Sequence, residues 1–212
     1  MAQARAAATR QAIVDAAINL FSKKGYGETS LAEIQQLAAV TKGAFYYHFD
    51  SKDAVAAAVI GQFHDKIRTA FRQSIDPPAQ PGLEGIVRGT FAVAQLMHSD
   101  DSVRVGNELS QALGQVSAAG QQIFAQTTVA FVEEVKNALA AGDLRPDLKP
   151  DDVGETIWVS VIGCQFLSAA IGDDQVTRLT QAWRVLLRAI VPAESLPYFY
   201  EVLRRTALES SG

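Results

Sequence analysis

The sequence predicts an all-α protein, built from an N-terminal three-helix helix-turn-helix head and a larger helical domain. Three observations predict it. The composition is rich in alanine with scattered charges, which favours helix over strand, and only 8% of the residues are aromatic. Apolar residues recur at the three- and four-residue spacing of amphipathic helices. Two short segments with clear helix-capping signals lie close together before residue 50.

Bulk properties narrow the class of protein further. The 212 residues are enough to bury a core without disulfides or metal ions, and the lone Cys164 cannot form an internal disulfide. No continuous apolar run of about 18 residues is visible, and the N-terminus lacks the apolar core of a signal peptide. We therefore expect a cytoplasmic protein without a membrane contact. The net charge is −4, but residues 1–60 carry a net charge of +1, which permits a nucleic-acid partner without requiring one.

The first predicted helix covers residues 5–24. Its apolar positions fall on one face of the helix, and they are Ile13, Ala17, Leu20 and Phe21. Gly25 is expected to end this helix as its C-terminal glycine. Ser30 and Glu33 then have the spacing of a capping box, in which each side chain bonds the backbone N–H of the other residue. The short helix that they open is expected to end at residues 37–39.

A second short helix is predicted after a turn of about four residues. Thr41 is its N-cap, and it covers residues 42–47. Ser51 then caps a longer helix that continues to about Arg72. Helices this short are marginal alone, so packing must hold them. We expect this packing to come from the apolar side chains of the motif, with Ile34, Leu37 and Ala38 on one side and Val40, Phe45 and Phe49 on the other.

The clearest break in the sequence is residues 76–82, which contain three prolines and a glycine. We interpret this segment as a loop within the larger domain. The head is expected to end near residue 50, which gives a helix-turn-helix domain over residues 1–50 and a larger helical domain over residues 51–212. Further helices are predicted at 83–97, 102–113, 121–141, 150–171, 174–190 and 195–208.

The second short helix has the chemistry of a recognition helix for double-stranded DNA. Its first residues offer a hydroxyl, an ammonium group and backbone N–H groups with little bulk, which suits deep entry into the major groove. These candidate base contacts are Thr41, Lys42, Gly43 and Ala44. The candidate phosphate contacts are Tyr46, Tyr47, His48 and Lys52, with Thr29 and Ser30 at the start of the preceding helix. The residues alone also leave a purely structural helical hairpin open.

A family resemblance strengthens the DNA-binding interpretation. The matching positions run from Thr9 to Lys52 and include Leu20-Phe21-x-x-x-Gly25-Tyr26, Thr29-Ser30-x-x-x-Ile34-x-x-x-Ala38 and Val40-Thr41-Lys42-Gly43-Ala44-Phe45-Tyr46-Tyr47-His48-Phe49-x-Ser51-Lys52. This stretch resembles the DNA-binding domain of the TetR family of bacterial repressors. The resemblance implies an all-α homodimer that leaves its operator when a small-molecule effector binds.

The C-terminal part resembles one branch of that family, the γ-butyrolactone (autoregulator) receptors of actinomycetes. The resemblance rests on Asp152-Val153 with Ile157-Trp158-Val159-Ser160-Val161-Ile162-Gly163-Cys164-Gln165, on Arg178-Leu179-x-x-x-Trp183-Arg184 through Pro192, and on Val103-Arg104-x-Gly106. Such receptors usually carry a tryptophan on the long pocket-lining helix. Here that position is Thr127, so a γ-butyrolactone, another small signal and an antibiotic all remain open as the effector.

The sequence also suggests a ligand pocket and a dimer interface. The pocket candidates lie at apolar or polar positions of the C-terminal helices, and each could equally be plain core: Phe91, Gln95, Leu109, Phe124, Thr127, Phe131, Trp158, Ile162 and Phe166. Helices 150–171 and 174–190 are expected to form the dimer. Their small residues are Gly163, Ala169 and Ala170, and their large apolar residues are Val161, Leu167, Leu179, Trp183, Leu186 and Ile190.

The function predicted from these features is a DNA-binding transcriptional repressor released by a small-molecule effector, possibly a γ-butyrolactone-like signal. The alternative is a dimeric small-molecule-binding or scaffold protein of the same fold that has lost DNA binding. No nucleophile elbow, phosphate-binding loop or metal-ligand spacing is visible in the sequence. We therefore expect no enzymatic activity, no metal and no cofactor.

Overall fold

The computed structural model describes residues 2–75, 82–114, 129 and 131–210, and the regular structure of these residues is α-helical, which confirms the predicted fold class. Pro77, Pro78 and Pro81 lie outside the described residues, as does the beginning of the predicted helix 121–141. The helices are α1 (Ala2–Glu28), α2 (Leu31–Leu37), α3 (Lys42–His48), α4 (Lys52–Ile75), α5 (Leu83–Ser99), α6 (Asp101–Gly114), α7 (131–140), α8 (Pro150–Ile171), α9 (Gln175–Ile190) and α10 (Leu196–Glu209).

The chain forms two compact units. The first contains Met1–Ile67 and Met97–Gly120, and the second contains Arg68–Leu96 and Gln121–Gly212. The first unit is therefore larger than the predicted head, because it takes in the beginning of α4 and all of α6. The functional boundary near residue 50 stays a prediction.

The core of the first unit joins the short helices to α1, α4 and α6. Ile34 and Phe45 are fully buried, and Phe49 is buried with them, as the sequence predicted. Leu37 was expected in this core, but it is 50% exposed. The face of α2 that packs on this core runs through Leu31, Ile34 and Ala38, and Leu37 lies on the other side of Ile34, about 100° around the helix from Ala38. Gly106 allows α6 to lie against α4, since a Cβ there would come within 2.4 Å of Phe63 Cβ.

Asp100 caps the beginning of α6 within the first unit. Its Oδ1 accepts the backbone N–H of Ser102 at 2.8 Å, and its Oδ2 accepts from Lys66 Nζ at 2.5 Å. Burial alone would raise the pKa of Asp100, but the hydrogen bonds from Lys66 and Ser102 outweigh it and lower the pKa to about 2. The folded chain therefore binds this proton less tightly than the unfolded chain does.

Replacing Asp100 by alanine is expected to lower the free energy of unfolding at pH 7 by about 1–2 kcal/mol, because a helix cap and an ion pair are lost together. The pKa is depressed in the folded state, so the stabilisation is complete above the pKa of unfolded aspartate and is lost as the pH falls towards 2. About half of the difference between the two proteins should remain at pH 3. Urea unfolding of both proteins from pH 7 to pH 3 measures it, and a difference that does not change with pH would contradict the assigned ionisation.

The second unit has its own core, in which Trp183 is fully buried. The indole Nε1 of Trp183 donates to Thr90 Oγ1 at 2.9 Å, so the buried N–H is satisfied. Asp143 fixes the beginning of α5, because its Oδ2 accepts the Leu83 N–H at 2.9 Å. Gly82 makes this contact possible, since its φ is +80° and a Cβ there would lie 2.1 Å from that oxygen.

Helices α8 and α9 of the second unit leave much apolar surface uncovered. Four side chains are between 59% and 71% exposed, and they are Val159, Phe166, Ile171 and Val185. By length and composition alone α8 could also cross a membrane, with a mean hydropathy of 1.3, and 28% of its most apolar 18-residue segment is buried.

Some residues that the sequence assigned to a dimer interface are instead in the core of this unit. These residues are Val161, Leu179, Trp183 and Ile190, which are at most 9% exposed.

Candidate nucleic-acid interface

Helix α2 begins at the capping box that the sequence predicted. The backbone N–H of Glu33 donates to Ser30 Oγ at 3.3 Å, and the N–H of Ser30 donates to Glu33 Oε2 at 2.9 Å. Glu33 also forms an ion pair with Lys24. The hydrogen bond from Lys24, followed by those from Ser30, lowers the pKa of Glu33 to about 2. The end of α1 is thereby linked to the beginning of α2 by a carboxylate that stays ionised.

The turn between α2 and α3 has the hydrogen bonds of a Schellman motif. The N–H of Ala39 donates to Gln36 O and the N–H of Val40 donates to Gln35 O, each at 3.2 Å. This motif requires a left-handed residue at its centre, a position that glycine usually occupies. Here it is Ala39, with φ +53°. An alanine in this conformation costs about 1 kcal/mol relative to glycine.

Replacing Ala39 by glycine is expected to raise the free energy of unfolding by about 0.5–1 kcal/mol, because glycine adopts the left-handed conformation without a steric penalty. Thermal and urea unfolding measure the change. The matched control is Ala32→Gly, since Ala32 is also exposed but lies in right-handed α2, where the same substitution should lower the stability by about 1 kcal/mol. A loss of stability at both positions would contradict the turn geometry.

The beginning of α3 is held in place and open to solvent. Thr41 is the N-cap, and its Oγ1 accepts the backbone N–H of Ala44 at 3.2 Å. Lys42 is exposed, and its ammonium group has no hydrogen-bond or ion-pair partner among the described residues. A Cβ on Gly43 would meet nothing within 4 Å, so the packing of the first unit does not require glycine there. These positions form a surface that a second molecule can approach closely.

The rest of α3 combines an anchored face with an exposed one. Phe45 and Phe49 are buried and hold the helix on the core. Tyr47 is 79% exposed and Tyr46 is 47% exposed, which places two phenol groups on the solvent side. His48 is half-buried, and its ring lies edge-on to the Tyr47 ring with a centroid distance of 4.9 Å. Tyr47 is therefore the most exposed aromatic side chain of this helix.

Two residues that the sequence predicted as phosphate contacts, Thr29 and Lys52, make hydrogen bonds within the protein instead. Thr29 is 2% exposed, and its hydroxyl donates to Gly25 O at 2.8 Å. Lys52 Nζ donates to Tyr26 O and to Thr29 O, each at 2.9 Å. Gly25, with φ +81° and ψ 161°, interrupts the helix at this point, and the carbonyl groups that follow need new donors. The sequence could not reveal this, because it requires the position of Lys52 relative to residues 23 or more positions away.

The predicted ligand contacts do not form one group. Phe131 and Trp158 lie with ring centroids 5.7 Å apart, and Phe71, which the sequence analysis missed, lies 5.4 Å from Phe131. Phe91 is fully buried in the same core. The remaining candidates are dispersed: Ile162 is half-buried, Gln95 and Phe166 are exposed, Leu109 belongs to the core of the first unit, and Phe124 and Thr127 lie outside the described residues. Which of them touch a ligand stays a prediction.

Comparison with known families decides the classification. The model of the bacterial regulatory proteins of the tetR family matches residues 13–59, which include α2, the turn and α3. The model of the tetracyclin repressor-like C-terminal domain matches residues 80–192, more than half of the chain. The chain belongs to the TetR family. The resemblance noted in the sequence is thereby confirmed.

Relatives within the TetR family point to one branch. The A-factor receptor protein of Streptomyces griseus is 30% identical over 190 residues, which cover 89% of this chain and 66% of the receptor, just under two thirds of its length. A solved structure of an ArpA-like γ-butyrolactone receptor is 29% identical, with a TM-score of 0.78 over 97% of this chain and 99% of that one. CprB from Streptomyces coelicolor A3(2), solved with its biological operator sequence, is 30% identical, with a TM-score of 0.75 and the same coverage. The chain therefore resembles the γ-butyrolactone receptors in both sequence and fold.

Proposed function

We propose that this protein is a homodimeric transcriptional repressor that binds operator DNA through α2 and α3 and is released when a small molecule binds its second unit. The observation that carries the proposal is the beginning of α3, where the exposed Lys42 and the open backbone at Gly43 lie on a capped and anchored helix. Recognition helices contact base edges with such N-terminal residues. The solved operator complex of CprB, a relative with the same fold, supports this assignment.

The proposed effector is a γ-butyrolactone-like signal. Support comes from the ArpA-like γ-butyrolactone receptor, whose name states this ligand class, and from the A-factor receptor protein, which is also named as a receptor. In the second unit the half-buried Trp158 next to Phe131 offers an aromatic surface of the kind that lines apolar ligand sites. The effector must favour a conformation whose two heads no longer fit the operator, since a ligand shifts an equilibrium only by its differential affinity.

The proposed dimer interface is the exposed apolar surface of α8 and α9. A single exposed apolar side chain is common on a protein surface, but α8 and α9 carry four that are between 59% and 71% exposed. These are Val159, Phe166, Ile171 and Val185. A second copy of the chain would cover this surface by isologous packing. Dimerisation would also supply two recognition helices for a pseudo-palindromic operator. We accordingly propose a cytoplasmic regulator with a DNA partner and no membrane partner.

The alternative, a scaffold protein that has lost DNA binding, is not favoured, because Lys42, Gly43 and Tyr47 are all present and exposed. The relatives are transcriptional regulators, so we propose a regulator and not an enzyme. The test is a footprint of the purified protein on DNA from upstream of its own gene, at a stated salt concentration. We expect protection of one site with approximate two-fold symmetry. Binding that is equal on all DNA sequences would contradict the proposal.

A further inference from the structure

Lys52 lies at the beginning of α4, where a positive charge would also suit a phosphate contact. Its ammonium nitrogen instead lies among the backbone carbonyl groups that follow Gly25. The distances are 2.9 Å to Tyr26 O, 2.9 Å to Thr29 O and 3.4 Å to Gly27 O. A lysine ammonium group has three protons and no acceptor. Three carbonyl oxygens therefore use its whole donor capacity, and a phosphate could bind only by displacing one of them.

A second contact keeps Lys52 in this position. Its Nζ lies 4.4 Å from the centroid of the Tyr26 ring, which is the geometry of a cation–π interaction. The hydroxyl of Tyr26 donates to Asp53, the residue after Lys52. Burial, followed by the hydrogen bond to Asp53, raises the pKa of Tyr26 to about 12, so this hydroxyl keeps its proton. Tyr26, near the end of α1, thus contacts both Lys52 and Asp53 at the beginning of α4.

The carbonyl groups that Lys52 binds precede the helix-turn-helix directly. Thr29 O belongs to the residue before Ser30, the N-cap of α2. Fixing Thr29 fixes the direction in which α2 begins, and α3 follows α2 after the short Ala39 turn. We propose that Lys52 is a positioning residue of the DNA-binding head, which closes the end of α1 and orients α2 and α3, and that it makes no contact with a DNA phosphate. This inference rests on the proposed operator binding.

The salt dependence of operator affinity separates the two roles. Each lost phosphate contact reduces the slope of log K against log salt concentration by about 0.9, so one substitution in a homodimer should change it by about 1.8. For Lys52→Met we expect affinity to fall about tenfold, the equivalent of one charge-assisted hydrogen bond, with an unchanged slope. Lys42→Met is the comparison variant, because it removes an exposed ammonium group at the beginning of α3 and should also weaken binding. A slope that falls by about 1.8 for Lys52→Met, or wild-type binding, would overturn the inference.

A second variant keeps the charge and tests the geometry. If residue 52 contacts a phosphate, Lys52→Arg should bind the operator as tightly as the wild type, because arginine binds phosphate at least as well as lysine does. We expect the operator affinity of Lys52→Arg to stay below that of the wild type, because a planar guanidinium group cannot direct three N–H groups at three converging carbonyl oxygens. Full recovery of affinity with Lys52→Arg would overturn the inference.

Amide hydrogen exchange without DNA tests the structural role separately. In Lys52→Met the backbone N–H groups of Thr29 and Glu33 should exchange faster than in the wild type, because they donate to Tyr26 O and Ser30 Oγ at the segment that Lys52 holds. Unchanged exchange there would overturn the inference. If the wild-type protein binds no operator, the proposed function fails, while this exchange result still decides whether Lys52 fixes the head.

Discussion

Replacing Lys42 and Tyr47 together by alanine is expected to lower operator affinity by about three orders of magnitude. Lys42 is the exposed ammonium group at the beginning of α3, and Tyr47 is the most exposed aromatic side chain of that helix. Direct contacts to bases or phosphates are each worth about 1–3 kcal/mol, and the double substitution removes at least two contacts in each half-site. A total loss of about 4 kcal/mol corresponds to roughly a thousandfold change in the dissociation constant.

The stability of the protein should not change in this variant, because neither side chain is part of the core. Fluorescence anisotropy with labelled operator DNA gives the affinity, and circular dichroism on heating checks the fold. Lys149→Ala is the matched charge control, since Lys149 is an exposed lysine of the second unit. Wild-type affinity in the double variant would show that α3 is not the recognition helix.

Replacing Phe166 and Val185 together by glutamate is expected to convert the proposed dimer to monomers at micromolar concentration. Both side chains belong to the exposed apolar surface of α8 and α9, at 59% and 71% exposure. A second copy packed on this surface would have to bury four unpaired carboxylates per dimer, and each buried charge costs several kcal/mol. Operator affinity should fall as well, because each head would then bind its half-site without the gain in effective concentration that the dimer provides.

Sedimentation equilibrium measures the molecular mass of this variant. The control is Leu208→Glu, since Leu208 is 63% exposed on α10 and carries the same change outside the proposed interface. We expect Leu208→Glu to remain a dimer with unchanged operator affinity. A dimeric Phe166→Glu, Val185→Glu variant would show that the interface lies on another surface, and a monomeric wild-type protein would contradict the dimer itself.

The sequence predicted the helix-turn-helix well because its determinants are local. Ser30, Glu33 and Thr41 act within three residues of their partners, so the pattern of residue types is enough to reveal them. The anchoring of α3 by Phe45 and Phe49 follows from helical spacing in the same way. The family match over residues 13–59 covers the same local features.

The features that the sequence could not predict depend on distant residues. The sequence alone suggests that Lys52 is a free cation, and only the structure shows that its ammonium group donates to carbonyl groups within residues 26–29. Leu109 reads as a pocket residue until α6 is found in the core of the first unit. Ala39 gives no signal of a left-handed conformation, because glycine is the residue that normally marks one. Val161 and Trp183 are large apolar residues of the kind that form interfaces, but they lie in the core of the second unit.

The most direct test of the central claim is the affinity of the purified protein for its upstream DNA with and without effector. An organic extract of the producing organism's spent culture serves as the first probe, and a synthetic γ-butyrolactone serves as the second. We predict specific binding that either probe weakens at least tenfold, while the Lys42→Ala, Tyr47→Ala variant binds about a thousandfold more weakly than the wild type even without a probe. Specific binding that no probe weakens would contradict release by a small molecule, and the absence of any specific binding would contradict the repressor itself.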